Sequence, residues 1–264
     1  MTRKIEQSLT EMFWREDVVP LTLREQNSRT PSQRRFLAIL HIIRKRITLL
    51  RYPPETLLDI DALAAEFKVS RTPIRSVLQQ LIYCGLVLSK HGVRTSVAPI
   101  DFERLREDFA LRSHLAELIG VLSPLVPSKG AIDYLAQAIE ECGELIAHPD
   151  LESFARIDMK VHEAICSLIG NRQLRQVYDD LYFRTARVWF YFLPKLDWLN
   201  EVTIFRQDID ARLDVMKRQD TKAVGFLTRN AISAVLIRVD PLISEVEMTQ
   251  DPGEPRLIVS QKGV

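Results

Sequence analysis

The chain has only three cysteines in 264 residues, a formal net charge of just +1, and no long apolar run. Each shortage removes a class of protein. Cys84, Cys142 and Cys166 are widely spaced and lie inside helical patterns, which excludes a disulfide scaffold and a cysteine-rich zinc module. Free thiols in a reducing compartment fit instead. No segment approaches the ~20 consecutive apolar residues of a membrane span, and the first thirty lack the apolar core of a secretory leader, so a soluble cytoplasmic protein with no membrane partner is expected. Enzymatic signatures are missing as well: no second Glu-x-x-His arm of a di-iron bundle appears, and no nucleophile stands beside a base.

What is present is unevenly distributed. Residues 31–99 hold eleven Lys/Arg against four Asp/Glu, a local charge of +7, whereas residues 100–264 hold twenty against twenty-six. A basic segment joined to an acidic one points to a polyanionic partner for the first. Within it, Leu63, Ala64 and Phe67 repeat at helical spacing over Asp61–Phe67, and Lys68-Val69 makes a tight turn. Ser70 stands where an N-cap belongs, with Pro73 in the first turn of a second helix. Ile74, Val77, Leu78 and Leu81 face inward in that helix, leaving Arg71, Thr72, Arg75, Ser76 and Gln79 outside. Gly85 stops it, and two β-prone pieces, Leu86–Leu88 and Thr95–Val97, flank a basic tip with Lys90 and Arg94. A helix-turn-helix followed by a basic wing predicts duplex DNA as the partner, with Arg71 and Arg75 one turn apart for guanine edges or phosphates. The preceding helix, Ser32–Leu50, adds Arg34, Arg35, Arg44, Lys45 and Arg46, either as further DNA contacts, Arg35 among them, or as a solvated face.

The remainder, Asp101 to about Val246, reads as helix throughout. The expected helices are Asp101–Leu125, Lys129–Ala147, Leu151–Ile169, Arg172–Leu193, Glu201–Gln219 and Thr221–Val246, punctuated by Pro124, Pro127, Pro149, Gly170, Pro194 and Pro241. Six antiparallel helices make a bundle whose interior can hold a ligand. The fold expected is therefore mainly α: an N-terminal extension (1–30), a winged helix-turn-helix domain (31–99), an all-α helical bundle (100–246) and a flexible tail (247–264). Asp158 and His162, four apart, share a helix face as a two-ligand arm would, or as a hydrogen-bonded pair would. Arg112, Arg184, Arg187 and Asn230 are further candidates for pocket polarity, because guanidinium groups match carboxylates. Trp189, Phe190, Tyr191 and Phe192 are expected to pack in the core or at a dimer face.

The runs Tyr52-Pro-Pro-Glu-Thr-Leu-Leu58, Val69-Ser-Arg-Thr-Pro-Ile-Arg75 and Gly85-Leu-Val87 resemble the GntR-type winged helix. That resemblance implies DNA contacts at Ser70, Arg71, Thr72 and Arg75, with the wing tip at His91 and Gly92. Asp61 departs from the basic or longer polar residue often found there, which puts a base contact from that position in doubt. Asp158-x-x-x-His162 followed by Asn171-x-x-Leu174, together with Arg112 in Leu111-Arg-Ser-His-Leu115, is similar to the FadR-type effector domain of the FCD subgroup. Metal-bearing members of that subgroup add two histidines from the last two helices. Here Ile209 and Asn230 or Ala231 stand at those positions, and an aliphatic chain cannot replace an imidazole. The resemblance thus implies a homodimeric transcriptional regulator that binds operator DNA and a small-molecule effector. The expected effector is an organic acid, met by Arg112, Asp158, His162, Arg187 and Asn230, with no cofactor and no metal beyond the weak candidates Asp158 and His162. The competing readings are a constitutive dimeric DNA-binding protein without an effector and a helical metal-dependent enzyme.

Overall fold

A computed structural model of the chain describes residues 30–90 and 94–249, and the described residues divide into two compact units between Ile100 and Asp101. The expectations for residues 1–29, for His91 and Gly92 at the wing tip, and for the tail from residue 250 lie outside the described residues.

The first unit opens with α1 (Pro31–Thr48). Thr30 caps it through a reciprocal pair: Gln33 N–H donates to Thr30 Oγ1 at 3.3 Å and Thr30 N–H to Gln33 Oε1 at 2.9 Å. Ile39, Ile43 and Ile47, four apart, are fully buried along one face. α2 (Ile60–Glu66) is capped by Asp59, whose carboxylate accepts from Ala62 N–H. Lys68, at φ 52°, turns the chain into α3 (Arg71–Tyr83). Ser70 occupies the N-cap position with extended backbone, but its hydroxyl makes no capping hydrogen bond, so the expected cap is there in place only. Ile74, Val77, Leu78 and Leu81 are buried as their spacing requires. Gly85, at φ 72°, takes the left-handed conformation that ends α3 and costs any other residue strain.

β1 (Val87–Lys90) and β2 (Arg94–Val97) pair antiparallel from Val87↔Val97 to Lys90↔Arg94, so the strands run further toward the tip than the apolar residues alone indicate. Cross-strand hydrogen bonds continue past the apolar positions because the ladder needs only backbone groups. The other edge of β2 is covered by residues 55–58: Leu58 N–H donates to Thr95 O and Val97 N–H to Thr56 O, each at 2.9 Å. The wing is thereby tied to the segment preceding α2.

The second unit holds α4 (Phe102–Glu117), α5 (Lys129–Ala147), α6 (Leu151–Cys166), α7 (Arg172–Phe192), α8 (Trp198–Lys217) and α9 (Thr221–Thr249). Side chains of Asp101, Ser128, Asp150, Asn171 and Asp197 cap the first five. α6 is central. Every residue from Met159 to Cys166 is buried, including Lys160, His162 and Glu163, which is the pattern of a helix enclosed by its neighbours.

Four boundaries differ from the sequence expectation by three residues or more; one is the start of α8, at Trp198 rather than Glu201, where the Asp197 carboxylate caps the helix by accepting from Asn200 N–H. α4 stops at Glu117 rather than Leu125, passing into a single 3-10 turn, Leu118–Gly120. Residues 123–125 then run beside 168–170, with Leu125 N–H donating to Leu168 O at 2.8 Å and Gly170 N–H to Ser123 O at 3.0 Å. The same contacts end α6 at Cys166 rather than Ile169. Finally, α9 continues to Thr249 with Pro241 inside it, so Pro241 does not punctuate, and residues 247–249 belong to the helix rather than to a flexible tail. Its last turns are fastened by Arg106 of α4, which bonds Asp240 at 2.6 Å and Glu247 at 3.0 Å. α9 also lies close on α4, since a Cβ at Gly225 would sit 2.7 Å from Ala116 O.

Candidate nucleic-acid interface and buried cavity

The outer surface of the first unit is built by α3. Ser70, Arg71, Thr72, Arg75 and Gln79 are exposed, and Ser76 is exposed with its hydroxyl donating to Thr72 O at 3.2 Å. Arg94 is exposed on β2, and Arg34 and Arg35 lie on the more open first turn of α1. The rest of the expected basic helix face is otherwise engaged. Lys45 is buried, and Arg46 donates to Tyr52 Oη at 2.8 Å, bonds Glu66 at 2.5 Å and lies over the rings of Tyr52 and Phe67. Arg46 is thus a tie between α1 and α2 rather than part of a solvated face. Asp61 holds Arg71: the guanidinium Nη2 donates to Asp61 Oδ2 at 2.9 Å, both side chains being about two-thirds exposed.

In the second unit a cavity of about 60 Å³ opens between α4, α6, α7, α8 and α9. Its open surface is mostly apolar, from Phe109, Val161, Ile165, Trp189, Phe205 and Ile232, but charged side chains, Arg112, Asp158, Asp208, Arg212 and Arg238, also line it. Arg112, from α4, donates through Nη1 to Thr185 Oγ1 at 2.9 Å and lies over the rings of Tyr178 and Tyr182, while its buried Nε has no acceptor among the described residues. Arg212, from α8, is buried and donates through Nε to Asp208 O at 2.8 Å. Neither guanidinium has a carboxylate within ion-pair distance among the described residues, and burial pulls that of Arg212 below its ordinary range.

Asp158 and His162 both line the cavity, but they do not bond each other. Asp158 Oδ2 accepts from Tyr182 Oη at 2.7 Å. Burial pushes its carboxyl up to about 6, against the lowering effects of that hydrogen bond and of Arg112 and Arg212. His162 stacks flat on Tyr182, centroids 3.6 Å apart and planes 6° from parallel, and places Nε2 3.0 Å from Asp179 Oδ1 and 3.3 Å from Cys166 Sγ. Burial pushes the Cys166 thiol well up.

Three sequence candidates fall elsewhere. Arg187 is buried but does not line the cavity: Thr185, Ala186 and Trp189 do, and Arg187, two residues after Thr185, points about 200° round α7 from it. Burial lowers its pKa to about 10. Arg184 bonds Asp108 at 2.7 Å. Asn230 is exposed and accepts from Arg229 Nε and Nη2, because the lining stripe of α9 runs through Thr228, Ala231, Ile232, Val235 and Arg238. Conversely, sequence reading missed Asp208 and Arg212. Their four-residue spacing is the same signal that singled out Asp158 and His162. Trp189 reaches the cavity, and it also stacks on Phe190 and meets Phe154 edge-on at 5.2 Å, so the aromatic cluster packs within the unit.

The four-ligand metal set implied by the resemblance does not fit these residues. Ile209 is fully buried and off the cavity wall, Ala231 lines it with a methyl group, and Asp158 is turned onto a tyrosine hydroxyl.

Residues 37–97 match the family described as bacterial regulatory proteins, gntR family, and residues 109–233 match the FCD domain. Comparison with curated proteins gave no match. Among solved structures, E. coli McbR/YncC is similar at a TM-score of 0.64 and 15% identity, over 80% of this chain and 97% of that one. A putative transcriptional regulator GntR from Rhodococcus sp. RHA1 is similar at 0.58 and 19%, over 78% and 98%. These two share the fold. Among the described residues no helix is long and apolar enough to cross a membrane.

Proposed function

The chain is a DNA-binding regulator that joins a GntR-type helix-turn-helix domain to an FCD effector-binding domain, and from that premise we propose how it works. Two copies bind an inverted-repeat operator in the cytoplasm, each setting the N-terminal end of α3 into the major groove. Arg71 and Arg75 read base edges, Ser70 and Thr72 fix the register, and Arg94, Arg35 and the wing residues Lys90, His91 and Gly92 meet the backbone. A two-fold pair is needed because one recognition helix covers only a few base pairs.

The effector is a small organic acid. The observation that carries this reading is the pair of guanidinium groups, Arg112 and Arg212, that line one mostly apolar cavity with no carboxylate bonded to either. Asp158 and Asp208 lie near these guanidiniums without bonding either through a carboxylate oxygen, so a carboxylate entering the cavity supplies the direct partner in the geometry guanidinium prefers. A water needs about 10–15 Å³ of such space, so the cavity admits a ligand of about four to six non-hydrogen atoms without rearrangement. Binding favours one arrangement of the bundle and thereby shifts operator affinity by a population shift. No bond-breaking chemistry is assigned to this cavity, and the regulator reading needs none.

The test is fluorescence anisotropy on an operator fragment, with a panel of short mono- and dicarboxylates. One or more of these acids changes operator affinity in the unaltered protein. Arg112→Leu and Arg212→Leu each remove that response and keep ligand-free operator binding. An undiminished response in both variants would overturn the assignment of the cavity, and a monomer in solution and on DNA would overturn the dimer.

A further inference from the structure

From the convergence of His162 Nε2, Cys166 Sγ and Asp179 Oδ1 on the flank of the cavity we infer a zinc site that shares only His162 with the four-ligand set discussed above. The three ligand atoms lie within 4.8 Å of one another. His162 Nε2 is 3.0 Å from Asp179 Oδ1 and 3.3 Å from Cys166 Sγ. A tetrahedral zinc, with bonds of about 2.0–2.2 Å to nitrogen and oxygen and about 2.3 Å to sulfur, sets ligand atoms roughly 3.4 Å and 3.6 Å apart for those two pairs. For those two pairs the side chains need to open by only a few tenths of an ångström to admit the ion.

The scaffold supplies the pre-organisation such a site requires. His162 and Cys166 are one turn apart on α6, the enclosed central helix, and Asp179 comes from α7. The imidazole is held in plane by its stack on Tyr182, which aims Nε2 at the other two ligands. His162 and Cys166 are buried, while the Asp179 side chain is about one-third exposed, which leaves an entry path and room for water as the fourth ligand. The donor set narrows the metal: thiolate and imidazole together are poor ligands for magnesium or calcium, the carboxylate disfavours copper(I), and among divalent first-row metals a tetrahedral sulfur, nitrogen and oxygen set suits zinc. On binding, the Cys166 thiol proton leaves to solvent, the proton between His162 Nε2 and Asp179 leaves that hydrogen bond for solvent while the neutral imidazole carries its own proton on Nδ1, and Nε2 and Oδ1 each bond the metal. Because His162 also forms part of the cavity wall, the ion fixes that wall. The site does not depend on the effector reading, since it uses neither Arg112 nor Arg212.

Cobalt(II) reports the ligands directly, because a coordinated thiolate gives a charge-transfer band in the near ultraviolet that nitrogen and oxygen ligands do not. Full-length protein stripped with chelator is titrated with cobalt(II), then with zinc(II). The expected result is one cobalt per chain with that band, displaced by one equivalent of zinc. In Cys166→Ser the band is absent, in Asp179→Asn cobalt binds at least tenfold more weakly, and in Asp158→Asn both band and affinity are retained. Circular dichroism of each metal-free variant checks the fold, and Asp179→Asn, at the exposed edge, carries the test if Cys166→Ser does not fold. The inference is overturned if no cobalt binds, if cobalt binds without the thiolate band, or if Asp158→Asn rather than Asp179→Asn abolishes binding.

Discussion

Replacing Asp158 with asparagine is expected to stabilise the protein at neutral pH and to leave it unchanged in acid. The carboxyl lies in the wall of a mostly apolar cavity, and burial raises it from its usual 3.8 to about 6 despite the nearby guanidiniums of Arg112 and Arg212. A raised acid gives a definite sign. Below pH 3.8 the group is protonated in folded and unfolded chains alike, and nothing is lost. Between 3.8 and 6 the unfolded chain releases its proton while the folded one keeps it, so stability falls as pH rises, and above 6 the loss is complete. Each tenfold change in proton affinity corresponds to ~1.4 kcal/mol, which makes the full loss about 3 kcal/mol at most, since water reaching the carboxyl through the cavity reduces it. Asparagine is neutral throughout, and its side-chain oxygen can still accept from Tyr182 Oη. The variant should therefore exceed the unaltered protein by up to about 3 kcal/mol at pH 7.5, with the difference shrinking to nothing near pH 4. At ~2–4 °C per kcal/mol for a unit of this size, this appears as several degrees in Tm. Asp208, also raised by burial, is present in both proteins and cancels in the difference. Urea unfolding followed by tryptophan fluorescence at pH 4.0, 5.5 and 7.5, in chelator, measures it. A variant less stable than the unaltered protein at pH 7.5 would refute the reasoning, because the two arginines would then be stabilising the carboxylate by more than burial costs it. A pH-independent difference would refute it equally.

Other outcomes follow from single contacts. Arg75→Ala should cost ~1–3 kcal/mol in specific operator binding and relax the preference at one half-site position, as read by footprinting on randomised sites. Asp61→Ala removes the carboxylate that holds Arg71, so log affinity against log salt should steepen by about one charge, while an exposed pair of this kind changes stability by less than ~1 kcal/mol. Gly225→Ala pushes a methyl group against Ala116 O and should lower stability by ~1–3 kcal/mol through separation of α9 from α4, seen as a reduced Tm with unchanged DNA affinity per folded molecule. Phe154→Ala empties a fully buried position that touches Trp189, Trp198 and Phe205 and should cost ~3–5 kcal/mol in urea unfolding.

Local signals decided much of this protein from the sequence. The first and last residues of α5, Lys129 and Ala147, are legible because an N-cap serine, a steady apolar period and His148-Pro149 all act within a few residues of the helix they define. The inward face of α3 and the exposed Arg71 and Arg75 follow from the same periodicity, and the motif around Ser70 named the domain. What needed the tertiary structure was whatever depends on a distant partner. α4 stops short of Leu125 because residues 123–125 pair with 168–170, and α9 continues through Pro241 with Arg106, 134 and 141 residues away, clasping Asp240 before it and Glu247 beyond it. The cavity was half legible for the same reason. Arg112, Asp158 and His162 were found by motif, but helix rotation in the packed bundle chose Arg212 over Arg187 and turned Asn230 outward, and no sequence spacing encodes that angle. Tyr182 likewise parts Asp158 from His162, and Asp179 joins His162 and Cys166 from a second helix, because side-chain partners across helices are set by packing rather than by position in the chain.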